Sequence, residues 1–275
     1  MKFTWMVFFL TYGAALLAEE IPDFRMRRVD AGQFYTVKVY LQGDRRVYYK
    51  TVITRPYQLS ATEVTVGQWK AVMGGDAPNY EKEDDKPVTS VSYREIQEFI
   101  SRLNKKTTGK SYRLPTYAEW QLAAAGTGQS GENQTFFHWG NDEKKSSEYA
   151  WTYANANGNL QRVGTLKPNR YGIYDLWGNA GEWVSDGRTD MSYMEPRLGN
   201  KGDGSCSSKN DPIYCFPENH ILTDPKGEQG ADRFRVIVES VRSSLYPGRA
   251  GSYYYAYPGD YKSRMLGFRL ARDAD

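Results

Sequence analysis

The residues with most to offer chemistry lie in three places. From Ile237 to Met265 the chain carries six tyrosines (Tyr246, Tyr253, Tyr254, Tyr255, Tyr257, Tyr261), five serines, three arginines and three glycines. This is the composition of a contact surface. Tyrosine offers a large area with only two torsions to freeze, serine and glycine adapt, and arginine supplies charged anchors. The expected contact residues are Ser240, Arg242, Ser243, Tyr246, Tyr253, Tyr255, Tyr257 and Tyr261, with the tyrosines as anchors. Packing in a stacked aromatic core is the competing reading for single tyrosines, but so many hydroxyls and small residues would leave a core poorly filled. The second place is Cys206 and Cys215, the only two cysteines; their spacing suits a local disulfide closing a loop. A zinc site is not expected, because His138 and His220 are the only histidines and neither stands beside Cys206. The third is Glu182, set between Gly181 and Trp183. A carboxylate in that setting must be paired, hydrogen-bonded or metal-bound, because burying it alone costs too much. No nucleophile, base and orienter occur together at a recognisable spacing.

The elements that must position these groups come from a chain long enough for a sizeable core. It has 275 residues, of which 40% are hydrophobic and 25% charged, so it is neither disordered by composition nor a multi-span membrane protein. Lys plus Arg number 36 against 33 Asp plus Glu, spread without basic runs, which argues against a nucleic-acid partner. Residues 1–18 have a basic residue at Lys2, an apolar stretch from Phe3 to Leu10, and small residues before Glu19-Glu20. That pattern is a signal peptide with cleavage near Ala18, and its apolar run is too short to span a bilayer. The mature chain is expected outside the cytoplasm, at the cell surface, in the extracellular space or in the periplasm, with no stable membrane span. No cysteine follows the small residues, so lipid attachment is not expected.

Residues 19–275 read as one domain. The stretch from Val29 to Thr65 alternates apolar and polar residues and is broken at Gly43-Asp44, which predicts a hairpin and a following strand. Val66, Trp69 and Val72-Met73 are spaced as a helix that stops at Gly74-Gly75. Ser92 and Glu95 form a capping box ahead of a helix buried through Ile96, Phe99, Ile100 and Leu103 and ended by Gly109. Thr116 and Glu119 form a second box, leading into Trp120 and the small residues Ala123–Ala125. Beyond residue 126, irregular loops on a few short strands are expected. Trp120, Trp177 and Trp183 read as core fillers, and Gly172, Gly178 and Gly181 as positions where a Cβ would block a turn or a close approach.

Three segments, taken together and in this order, resemble the sulfatase-modifying-factor family, whose best-known member is the formylglycine-generating enzyme. They are Arg113–Trp120 (RLPTYAEW), Asn169–Trp183 (NRYGIYDLWGNAGEW) and Leu266–Arg272 (LGFRLAR). The resemblance covers roughly residues 25–272 and implies an α+β, C-type-lectin-like fold with few helices, short antiparallel strands and long irregular loops. In catalytic relatives a calcium ion sits on the middle motif. The matching ligands would be the side chains of Asp175 and Glu182 and the carbonyls of Gly178 and Ala180, all oxygen donors as Ca²⁺ requires. A purely hydrogen-bonded turn is the alternative, and no cofactor is required by either reading.

The resemblance also implies where catalysis would lie. Those enzymes oxidise a substrate cysteine with copper held by two cysteines just after an Arg-Gly-Gly-Ser-aromatic motif. Here the stretch from Arg235 to Ser244 has neither the glycine pair nor a cysteine, and none follows through Asp275. Cys206 and Cys215 lie upstream of it, whereas soft Cu(I) needs thiolates at the site. An enzyme is therefore not expected. The tail is similar instead to the variable proteins of diversity-generating retroelements, in which a segment closing on a Gly-Phe-Arg-Leu-like motif is hypermutated on a fixed scaffold. The expectation is an exported protein that binds a protein or other surface ligand through residues 237–265. A copper-dependent oxidase and a calcium-dependent glycan-binding lectin are the alternatives, the latter weakened by the absence of a Glu-Pro-Asn or Gln-Pro-Asp tripeptide.

Overall fold

A computed structural model describes residues 21–39, 46–79, 82–125, 135, 137–188, 214–215, 221–227, 231–237 and 254–274. The signal-like segment, Cys206, Ser240, Arg242, Ser243, Tyr246 and Tyr253 lie outside the described residues, and Tyr255 and Cys215 are described by backbone only.

The N-terminal half follows the sequence closely. β1 (Met26–Val29) leads into β2 (Gly32–Val39) and β3 (Arg46–Ile53), which pair antiparallel as the expected hairpin, and β4 (Tyr57–Ser60) follows. α1 (Val66–Met73) is capped by Thr65 and stopped by Gly74, whose backbone is left-handed. α2 (Tyr93–Lys106) starts at the Ser92–Glu95 box and buries Ile96, Phe99, Ile100 and Leu103. It stops at Lys106, earlier than Gly109 suggested, because Thr107 turns extended and its hydroxyl donates to the Leu103 carbonyl. α3 (Tyr117–Ala125) follows the Thr116–Glu119 box and is buried on every side.

The second half is more regular than expected. Short helices α4 (Ser146–Tyr149) and α5 (Tyr153–Ala156) precede β5 (Gly181–Arg188), an eight-residue strand. Then come β6 (Tyr214–Cys215), β7 (Ile221–Thr223), β8 (Arg233–Ile237), β9 (Tyr254–Pro258), β10 (Leu266–Phe268) and β11 (Ala271–Asp273). Among the described residues three sheets result, ordered β1-β4-β11, β10-β5-β8-β9, and β2-β3-β6 with β7 also on β3. Not all pairs are antiparallel. β10 lies parallel to β5, and β6 and β7 lie parallel to β3, which the long intervening segments allow.

Where β5 meets the end of β8 the β10-β5-β8-β9 sheet is buried on both faces, which is why those strands lack clean alternation. Trp183, Val236, Leu266 and Phe268 face the α1–α2 side, and the neighbouring residues Val184 and Ile237 join the core around α3. Trp120, Trp177 and Trp183 are fully buried, as core fillers should be. Gly178 could carry no side chain. Its φ is +106°, and a Cβ there would lie 2.1 Å from the Trp151 carbonyl oxygen.

Candidate functional site

The three motifs of the sequence converge on one buried ion pair. Arg269, in the turn after β10, donates from Nη2 to Glu182 Oε1 at 2.6 Å and from Nε to Oε2 at 2.7 Å. Trp120 of α3 donates from its indole nitrogen to the same Oε2 at 2.8 Å. Side-chain exposure is 0% for Arg269 and 1% for Glu182, so the pair is dry. Burial alone would lower the Arg269 pKa, but the Glu182 carboxylate outweighs it and the net shift is upward. Of the three ways expected to satisfy Glu182, pairing is the one seen, and its partner Arg269 lies fifteen positions past Tyr254.

Two more carboxylates face this pair. Asp175 Oδ2 accepts from the Gly164 amide at 2.7 Å, and Glu63 Oε1 accepts from the Ala180 amide at 3.4 Å. Asp175 Oδ1 and Glu63 Oε2 are buried with no hydrogen-bond partner. Burial pushes the Asp175 carboxyl up to about 6, against the pull of the Gly164 amide and Arg269. Burial, and then repulsion from Asp175, holds Glu63 well above the usual carboxylate range. Glu63 was not a sequence candidate. Its signal would have been a lone carboxylate among the buried residues Ala61, Thr62 and Val64.

Of the expected calcium ligands, Glu182 is already engaged. Both its oxygens are taken by Arg269 and Trp120, and a guanidinium stands where a second cation would be repelled. Among the described residues no group of three or more His, Cys, Asp or Glu side chains is arranged to hold a metal ion. The turn also carries hydrogen bonds of its own. Asn179 binds Gln161 through both its side-chain atoms, and its amide donates to the Trp151 carbonyl.

The chain belongs to the sulfatase-modifying factor enzyme 1-like domain family. That family's model matches residues 18–274. Among curated proteins, this family member is 28% identical over 236 residues to "Chaperone protein LppX" of Paenibacillus barcinonensis, covering 69% of this chain and 81% of that protein. It is 31% identical over 148 residues to the bovine formylglycine-generating enzyme, covering 50% of this chain but only 36% of the enzyme. Among solved structures it is similar to Treponema denticola variable protein 1, with a TM-score of 0.66 at 22% identity over 90% of this chain and 95% of that one. The α+β, C-type-lectin-like fold implied by the motifs is thereby shown.

Two paired residues of this family member bracket most of the tail in sequence. β8 pairs with β9 so that Ile237 lies opposite Tyr254, and residues 238–253, between them in sequence, lie outside the described residues. Ser240, Arg242, Ser243, Tyr246 and Tyr253 are among them. Tyr257 and Tyr261, beyond β9's midpoint, stack at 3.9 Å with an interplanar angle of 7° and are half-buried against the α1–α2 core. They are partly scaffold. Beside them Tyr93 stacks on Phe234 at 3.6 Å, and burial pushes the Tyr93 hydroxyl up to about 12. Lys262 pairs with Glu95, and the Arg94 amide donates to the Gly259 carbonyl, tying the turn after β9 to the start of α2. Arg235 on β8, where the enzymes' motif would begin, is fully buried with its guanidinium 5.5 Å from the Tyr117 ring.

Proposed function

We propose that this chain is an exported binding protein that recognises a protein or other surface ligand through residues 238–261 and performs no chemistry there. The observation that supports the reading is the Ile237–Tyr254 pairing, which fixes on neighbouring strands the two residues that bracket the Tyr- and Ser-rich segment in sequence. A rigid base with an adaptable, tyrosine-bearing connection is how antibody paratopes limit the entropy lost on binding. Tyr246 and Tyr253 are the anchors, Ser240, Ser243 and Arg242 the polar partners, and Tyr257 with Tyr261 a half-buried edge. The likeness in fold to a variable protein supports extending this to a hypervariable tail. Export rests on residues 1–18, and a Cys206–Cys215 disulfide suits that location. Among the described residues no helix is long and apolar enough to cross a membrane.

Sequencing the 3′ end of the gene and its flanking DNA from many isolates tests the reading. Substitutions should concentrate at Tyr and Ser positions between Ser240 and Ser263 while Gly267-Phe268-Arg269 stays constant, with a near-copy of the segment nearby. A tail as uniform as the rest of the chain overturns hypervariability. Family membership favours one second reading, oxidation of cysteine with copper. Conversion of a cysteine peptide by the copper-loaded protein, lost in Cys206→Ala, would establish it in place of the binding role.

A further inference from the structure

On another part of the molecule, a cleft of about 540 Å³ opens between the end of β3, the start of β4, α3's first turn and the segment after β7. Its size falls within the range of small-molecule sites, about 300–1,000 Å³. Its walls are fixed before any ligand arrives. Asp224 holds a left-handed backbone, φ +42°, which a non-glycine residue keeps only under constraint. Its amide donates to the Val52 carbonyl, while its carboxylate accepts from both the amide and the hydroxyl of Thr54. Gly227 is pressed so closely on β5 that a Cβ would lie 2.3 Å from the Gly187 nitrogen. The segment 221–227 is thus pinned at β7, at Asp224 and at Gly227.

The charges in this cleft are unevenly engaged. Arg113 makes a two-pronged pair with Glu119, 2.7 Å on each prong, and reaches Asp273 at 2.8 Å. Asp224 is satisfied by Thr54. Each carboxylate of the lining therefore already has a partner. Arg55 and Lys226, both exposed, make no ion pair among the described residues. Both line the same cleft, and both lie near enough to Asp273 to add a little to Arg113's hold on its carboxyl, which stays below its ordinary value. Ile53, Pro56, Tyr57 and Pro225 supply the apolar part of the lining.

We propose that this cleft binds a small organic anion, an apolar ring carrying one carboxylate, with the carboxylate held between Arg55 and Lys226 and the ring against Pro56 and Pro225. The site is separate from the tail and does not depend on what the tail recognises. A guanidinium matches a carboxylate's two oxygens, and a lysine ammonium supplies a second point charge. An uncharged ring of the same shape lacks that attraction.

The test is a titration of the purified chain with benzoate and, in parallel, with benzamide, followed by backbone amide NMR shifts. Benzoate should shift Thr54, Asp224 and Lys226 saturably, and the Arg55→Ala/Lys226→Ala double variant should weaken it about tenfold, each charge contributing roughly two- to fivefold. Both substituted residues are exposed, so the variant's thermal midpoint should match the parent's. Tyr246→Ala, in the tail, should bind benzoate unchanged. Benzamide binding as tightly as benzoate, a double variant that binds like the parent, or no saturable shift at the cleft overturns the proposal.

Discussion

Arg269 and Glu182 form a two-pronged ion pair with 2.6 and 2.7 Å contacts in a dry interior, joining the C-terminal motif to the middle one. Replacing Arg269 by Met leaves a buried carboxylate without its counter-charge. Such a break costs about 3–5 kcal/mol, whereas removing both charges is far milder. Arg269→Met should lower the urea midpoint sharply, and the double variant Arg269→Met/Glu182→Gln should recover much of it. Because Glu182 is already engaged, adding calcium or a chelator to the parent should leave its thermal midpoint unchanged; a clear calcium-dependent rise would show that the pair opens to a cation.

Asp175 titrates in the folded chain at about 6, above its ordinary 3.8. The folded state therefore holds a proton that the unfolded chain has released, and this contribution to stability is full below pH 3.8 and lost as pH rises through about 6. Asp175→Asn should be more stable than the parent at pH 7.5 and should flatten this part of the profile. Urea unfolding at intervals from pH 4 to 8 measures it, and an unchanged slope in the variant would refute the assignment.

His138 moves the other way. Both ring nitrogens are buried without a partner, its ring lies edge-on to Trp139 and Tyr149, and burial lowers its pKa to about 4. Stability from keeping it neutral is full above pH 6.5 and lost as pH falls through about 4. His138→Phe keeps a ring that cannot charge, so the variant should resist acid better than the parent. Tryptophan fluorescence reports it, since Trp139 sits in a stack between Phe137 and Tyr149.

Gly178→Ala should be severely destabilising. The added Cβ would meet a backbone carbonyl at 2.1 Å, which no rotamer can relieve, and the positive φ adds strain. A loss of about 3 kcal/mol or more is expected. Gly74→Ala is the control: it also has a positive φ but nothing within 4 Å, so its cost should stay near 1 kcal/mol. Chemical denaturation of the two variants side by side separates steric from conformational cost.

How much of this was legible in the chain depended on how local the cause was. The helix starts at Ser92 and Thr116 were readable because a cap and the residue three places on satisfy each other within one turn, whereas the first helix was read from its apolar spacing and its Thr65–Gln68 box emerged only in the structure. The hairpin of β2 and β3 was readable because alternation and its break lie side by side in sequence. The end of α2 was not, since Thr107 competed with Gly109 and won through one hydroxyl bond. Parallel pairing of β10 with β5, and of β6 and β7 with β3, leaves no local mark, because the partners are far apart along the chain.

The same division runs through the candidate site. Sequence alone established that Glu182 needed a partner, that three tryptophans fill the core, and that the tail is rich in tyrosine and serine. Only the tertiary structure decided that the partner is Arg269, that Glu63 joins Asp175 beside it, and that Tyr257 and Tyr261 spend part of their surface on each other. The physical reason is that a buried charge reveals its cost in its immediate neighbours, but its compensation comes from whichever distant segment the fold brings within about 3 Å.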